Sequence, residues 1–301
     1  MILPLKFPLA PATFSGDEEN DEKGLGKGSG SPPHESAGSG YEGKMEIMET
    51  APQGLSGKMK PVENGGFRFA CHPGVVCFTE CCRDLNLMLT PYDIMRLKNR
   101  LCLSSDEFLD RYTDCGFDEN RHLPMVYLQM SQNERKSCPF VTPEGCSVYA
   151  DRPSACRIYP IARASRLHRV HGSVLENYFV LYEDHCLGFE QEQFWKIDEW
   201  LKDQGLEDYY EHNDLWMGIL THPRLRDRRL PEKQQQMFYL ASYNLDKFRE
   251  MVFNSRFLQL FQIEEDEIER LTTSETARLK LAFEWMQFSF LGEGNLKPRN
   301  K

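Results

Sequence analysis

Apolar and polar positions follow three different patterns along the chain. In residues 1–62, "SGDEENDEKGLGKGSGSPPHESAGSGYEGK" runs through Gly, Ser, Pro and charge with almost no aliphatic residue. Such a stretch buries too little apolar surface to offset the entropy of ordering, so it predicts a disordered tail. Order is expected from near Phe67. From there to about Gly188 the pattern is mixed. "TPYDIMRLKNRLCL" predicts a helix, with Thr90 as N-cap, Pro91 at the first helical position, Asp93 in the first turn, and Ile94, Leu97 and Leu101 on one face. "SSDEFLDRYT" predicts a second, capped by Ser104 or Ser105, with Phe108, Leu109 and Tyr112 inward. "MVYLQM" (125–130) alternates like a strand, and "NYFVLYE" (177–183) is strand-like in its aromatic and β-branched content.

Beyond Gly188 the period becomes helical. "EQFWKIDEWLKDQGL" sets Phe194, Ile197, Trp200 and Leu201 at helical spacing and stops at Gly205. "PEKQQQMFYLASYNLDKFREMVF" predicts one helix from Pro231 to about Phe253. "EEDEIERL" and "SETARLKLAFEWMQFSF" predict two more, the last capped by Ser274. No internal repeat is visible.

The 301 residues are 40% hydrophobic and 12% aromatic, enough for a substantial core. A formal net charge of -10 argues against a nucleic-acid partner, which calls for a basic face. The opening "MILPLKFPLAPATFSG" is broken by prolines and offers no signal-peptide core, and no window approaches the roughly 20 apolar residues of a membrane span. The expected location is therefore cytoplasmic, with no membrane partner. In a reducing compartment, dense cysteines point to metal or redox chemistry more often than to disulfides.

There are ten cysteines, and four of them stand in the twelve residues "CHPGVVCFTECC" (71–82). Cys77 and Cys81 are i and i+4, so a helical turn there would aim both thiols one way, with Cys82 about 100° round from Cys81. Cys138, Cys146, Cys156 and Cys186 form a second, spread group. Cys138 precedes a proline, as cluster-binding cysteines sometimes do. Cys146 follows Gly145 in a turn whose N–H groups are free to point at sulfur. Several thiolates side by side need a shared cation and nearby positive charge, which Arg83, Arg152 and Arg157 are placed to supply. Cys102 is assigned to a helix face and Cys115 to the end of a segment, both as ordinary packing cysteines. His72 and His185 flank cysteines, which alone does not make them ligands.

"FACHPGVVCFTECC", "LTPYDIMRLKNRL" and "CPFVTPEGCSVYADRPSACRIYPI", taken together and in that order, resemble the YkgJ-like cysteine-cluster family, the CxxCxxCC zinc- or iron-chelating domain. The resemblance runs from about residue 67 to 190. It implies metal chelation by Cys71, Cys77, Cys81, Cys82, Cys138, Cys146, Cys156 and Cys186. The family name implies C-x2-C-x2-C-C, whereas this chain has longer gaps before Cys77 and Cys81. Flagellin lysine methylases carry a related cluster. No Gly-rich loop follows a strand to hold S-adenosylmethionine, and there is no P-loop, H-E-x-x-H or Ser-His-Asp pattern.

The expected fold is α+β. A small cysteine-rich metal-binding domain over residues 63–190 packs against a helical C-terminal region over residues 191–301, behind a disordered tail over residues 1–62. The expected function is chelation of zinc or iron. An iron–sulfur cluster is slightly favoured, because the ligand set is all sulfur and no His pair sits at zinc spacing. The alternatives are a metal-dependent protein-modifying enzyme such as a lysine methylase, and a metal that only holds the domain together.

Overall fold

The computed structural model describes residues 58–118, 123–167, 174–226 and 228–299. In chain order the elements are β1 (Met59–Pro61), β2 (Gly66–Arg68), α1 (Pro91–Arg100), α2 (Ser105–Tyr112), β3 (Thr113–Phe117), β4 (Pro124–Leu128), β5 (Val141–Thr142), β6 (Gly145–Cys146), α3 (Ser154–Ile158), β7 (Ile161–Leu167), β8 (Val174–Leu181) and β9 (Phe194–Lys196). Helices follow: α4 (Ile197–Asp203), α5 (Glu207–Leu220), α6 (Pro223–Arg226), α7 (Glu232–Tyr243), α8 (Leu245–Asn254), α9 (Phe257–Leu260), α10 (Glu265–Thr273) and α11 (Glu275–Met286). The fold is α+β with a helical C-terminal region, as the pattern predicts. No helix among the described residues is long and apolar enough to cross a membrane.

The expected tail lies outside the described residues up to position 57. Its last residues depart from the expectation. Met59–Pro61 pairs antiparallel with β8, with Met59 opposite Leu181 and Pro61 opposite Phe179. The strand sits at the edge of the sheet β1-β8-β7, where a proline removes no ladder bond that the sheet needs. The remaining strands form two-stranded antiparallel pairs, β2 with β9, β3 with β4, and β5 with β6.

Local sequence accounts for the helix starts. Thr90 accepts from the Asp93 N–H while the Asp93 carboxylate accepts from the Thr90 N–H at 2.9 Å, a reciprocal cap for α1. Ser104 and Glu107 do the same for α2, and Ser274 caps α11. Two helical expectations shift, and one helix lies where none was expected. Phe194 belongs to β9, because its segment pairs with Gly66–Arg68, so α4 begins only at Ile197. The long helix from Pro231 breaks at Asn244, whose side chain accepts from the Lys247 N–H and starts α8 as a new helix. The 14-residue α5 escapes the hydrophobic pattern because two of its inward positions are Tyr209 and His212, with Trp216, Ile219 and Leu220 completing the face.

One hydrophobic core joins the cysteine-bearing segments to the helices. Trp200 meets Phe67 and Phe69 edge-on, with centroids at 5.6 and 5.7 Å. Helix α1 packs against α2, α5, α7 and α11. Within this core Lys98 is 4% exposed, and its ammonium lies 2.6 Å from Glu275 and 3.8 Å from Asp246. That interaction ties α1 to α8 and α11.

Candidate metal centre

The segment 71–82 is a chain of tight turns, so the condition under which Cys77 and Cys81 would face one way, a helical turn, is not met. Val75, Phe78, Glu80 and Cys82 each donate their N–H to the carbonyl three residues back. Thr79 at φ 70° lies in the left-handed region, which ends any helical run between Cys77 and Cys81. Two backbone links hold this loop to distant cysteines. The Cys138 N–H donates to the Cys82 carbonyl at 2.9 Å, and the Ala70 N–H to the Gly188 carbonyl at 3.1 Å. The second approach needs a glycine, since a Cβ on Gly188 would stand 2.5 Å from the Phe69 ring and 2.9 Å from the Ala70 oxygen. The hairpin β5–β6 carries Cys146, α3 carries Cys156, and Cys186 stands just before a 3-10 turn over Leu187–Glu190.

These folds draw the eight predicted thiols into one neighbourhood. Cys71, Cys77 and Cys186 form one mutually interacting set, and Cys138, Cys146 and Cys156 form another. Cys81 interacts with members of both and shares a hydrogen bond with the Cys82 thiol. Several sulfurs also receive backbone N–H groups. Cys138 is met by Phe140 and Val141, Cys146 by Val148, and Cys186 by Gly188. The Leu187 N–H donates to the Cys77 sulfur at 3.1 Å. Among the described residues, no three His, Cys, Asp or Glu side chains stand together as a finished ligand set for a metal ion.

Residues 70–187 match the CxxCxxCC family. Its description is "Putative zinc- or iron-chelating domain", and the match supports metal binding by this segment. It covers all eight cysteines expected as ligands, together with Cys102 and Cys115. No curated protein and no solved structure matches the chain.

Electrostatics in the CxxCxxCC segment favour protonated thiols in the metal-free chain. Cys71 is pushed up to about 11 by burial of its sulfur, then by repulsion from Cys81, Cys77 and Cys186, although the residue as a whole is exposed. Cys156 is raised further, chiefly by burial, and Cys81 chiefly by its hydrogen bond with Cys82. Burial also raises Cys138, Cys146 and Cys186 against the lowering pull of their N–H partners.

Of the three arginines expected to provide positive charge, Arg152 is the one that interacts with the cysteines, Cys146 and Cys156. Arg152 and Arg157 are each 8% exposed, and neither forms an ion pair with a carboxylate among the described residues. Arg152 lies over the Tyr149 ring and feels Cys156 and Cys146 as its nearest acidic side chains after that tyrosine. Arg157 donates to the Gln204 carbonyl at 2.6 Å, is bonded to the Ala150 carbonyl, and lies over the Tyr209 ring. Arg83 instead pairs with Glu80. The two flanking histidines are engaged elsewhere: His72 Nδ1 accepts from the Gly74 N–H, and His185 stands 3.5 Å from Glu183.

Cys115 is half-buried in β3, consistent with packing, and is raised to about 11 by burial. Cys102 departs from its expected place on a helix face. It is exposed at φ 54°, just beyond the end of α1, a position usually held by glycine. Sequence reasoning passed over Tyr159, whose buried hydroxyl lies against the Cys186 thiol and lowers its pKa. Its place in "CRIYP", three residues after Cys156, was the available signal.

Proposed function

We propose that this chain is a metal-binding protein whose donors are Cys71, Cys77, Cys81, Cys82, Cys138, Cys146, Cys156 and Cys186. The observation that carries the reading is the family match over these cysteines together with the Leu187 N–H directed at the Cys77 sulfur at 3.1 Å. An N–H aimed at sulfur stabilises a thiolate and gives little to a neutral thiol, and thiolates are the metal-binding form. Arg152, buried with no carboxylate partner among the described residues and interacting with Cys156 and Cys146, supports a net negative centre. Four thiolates around a divalent zinc leave a charge of about -2, as do four around an oxidised four-iron cluster. The donor chemistry thus fits zinc or iron.

An iron–sulfur cluster is the favoured occupant, since the donors are all sulfur and both flanking histidines have other partners. When bound, such a group supplies one-electron chemistry or structural cross-linking. The chain's own residues hold the sulfurs, direct N–H groups at them and balance their charge. A reducing, cytoplasmic compartment keeps thiols of this density free.

The test is anaerobic purification with zinc, iron and sulfide measured per chain, for the unaltered protein, Cys81→Ser and Cys102→Ser. A serine hydroxyl stays protonated and is a poor ligand for these metals. Cys81→Ser is expected to lose metal and Cys102→Ser to keep it. Equal metal in the two variants overturns the ligand assignment. A folded unaltered chain free of all metal overturns the function.

A further inference from the structure

Helix α3 holds Cys156 at its third position, yet its own sequence provides no side-chain cap. Pro153 occupies the N-cap position and makes no capping bond. The acceptor comes from α1, 61 residues earlier. The Asp93 carboxylate takes the Ser154 N–H on Oδ1 at 2.8 Å and the Ser154 hydroxyl on Oδ2 at 3.3 Å, while the same Oδ2 takes the Thr90 N–H at 2.9 Å. One fully buried carboxylate therefore fixes the first turns of both α1 and α3.

A second grip lies one turn along the same face of α1. Arg96 donates through Nε at 2.9 Å and through its Nη2 at 2.5 Å to the Asp151 carboxylate, in the 3-10 turn over Tyr149–Asp151 that leads into α3. Residues 93 and 96, three apart on one helix face, thus clamp residues 151 and 154. The clamped stretch lies between Cys146 and Cys156 and contains Arg152.

We propose that Asp93 and Arg96 are positioning residues for the metal centre, a clamp from α1 that sets Cys156 in register with Cys138 and Cys146. The inference rests on the ligand reading above. Electrostatics argue for a role through hydrogen bonds rather than charge. A carboxylate beside the Cys156 sulfur repels its thiolate, so as a counter-charge it is in the wrong place. As an acceptor for two backbone N–H groups and a hydroxyl it is well matched.

The test compares the unaltered chain with Asp93→Asn, Arg96→Met and Cys156→Ser. Asparagine keeps an acceptor for Ser154 but presents an NH2 group where Thr90 and Ser154 both donate. Each chain is purified anaerobically and assayed for iron, zinc and sulfide. The metal-free chains are then titrated with cobalt(II), and the thiolate-to-cobalt charge-transfer band is read per folded chain, with far-UV circular dichroism giving the folded fraction. Band intensity follows the number of sulfur ligands, which a mere loss of stability does not change.

Asp93→Asn is expected to fold and to lose the same share of the band as Cys156→Ser. Arg96→Met, at a half-buried site, is expected to weaken cobalt binding at least about threefold. If both variants fold and take up metal like the unaltered chain, the clamp is refuted while the ligand assignment stands. If Asp93→Asn yields no folded protein, Arg96→Met decides alone, and unchanged affinity there overturns the proposal. An unaltered chain that takes up neither iron, zinc nor cobalt, or a Cys156→Ser chain with an undiminished band, overturns the ligand reading instead.

Discussion

Loading the cluster with zinc is expected to release about four protons for each four-thiolate centre near neutral pH. The expectation follows from the thiols' state in the metal-free chain. Cys71 stands at about 11, and Cys81, Cys138, Cys146, Cys156 and Cys186 are all shifted upward from 9.0. At pH 7 a thiol of pKa about 11 is ionised in roughly one molecule in ten thousand, so a ligand drawn from this set arrives with its proton. Each displaced proton changes the apparent affinity about tenfold per pH unit, and four change it about 10⁴-fold, or about 5.4 kcal/mol. Affinity rises with pH, because the metal competes against fewer protons, and the rise continues until the free thiols themselves ionise. Anaerobic titration calorimetry in buffers of different ionisation enthalpy, at two pH values below 8, counts the protons directly. Release of fewer than about two protons per zinc would refute the reasoning, since the ligands would then be thiolates beforehand or not thiols at all. The metal-free chain carries the opposite linkage. Raised thiol pKa values, Cys71 and Cys115 at about 11 among them, give stability that is complete below about 9 and is lost as pH climbs through 11.

Two further predictions concern how the site is held. Lys98→Met removes the nearer cation from Glu275 and Asp246 at the meeting of α1, α8 and α11, while Arg278 stays 3.6 Å from Glu275, and is expected to cost about 1.5–3 kcal/mol in chemical denaturation; a loss under about 1 kcal/mol would show the pair to be solvated. Gly188→Ala forces a methyl group against the Phe69 ring and the Ala70 carbonyl, and is expected to cost about 1–3 kcal/mol and to lower bound metal by loosening the first cysteine loop. Unchanged metal content in a folded Gly188→Ala chain would show that the Ala70–Gly188 link does not set the site.

Short-range chemistry made much of this protein legible from its residues. The caps at Thr90, Ser104 and Ser274 are local bonds spanning three residues, so α1, α2 and α11 could be read directly. The cysteines and the matched family segment were equally visible, because ligand chemistry resides in residue type. What escaped depends on contacts between distant parts of the chain. Phe194 is strand because Gly66–Arg68 lies beside it, and Met59–Pro61 is strand because β8 offers an edge. Thr79 enters the left-handed region against its own preference and removes the helical turn that the spacing of Cys77 and Cys81 allowed. Arg83 turns to Glu80, while Arg152 and Arg157 are buried with no carboxylate partner among the described residues, a division that only packing makes. Asp93 is the plainest case. Its sequence position explains the start of α1, and only the tertiary fold brings its carboxylate to Ser154, because a cap for α3 drawn from 61 residues away exists once both helices share one core.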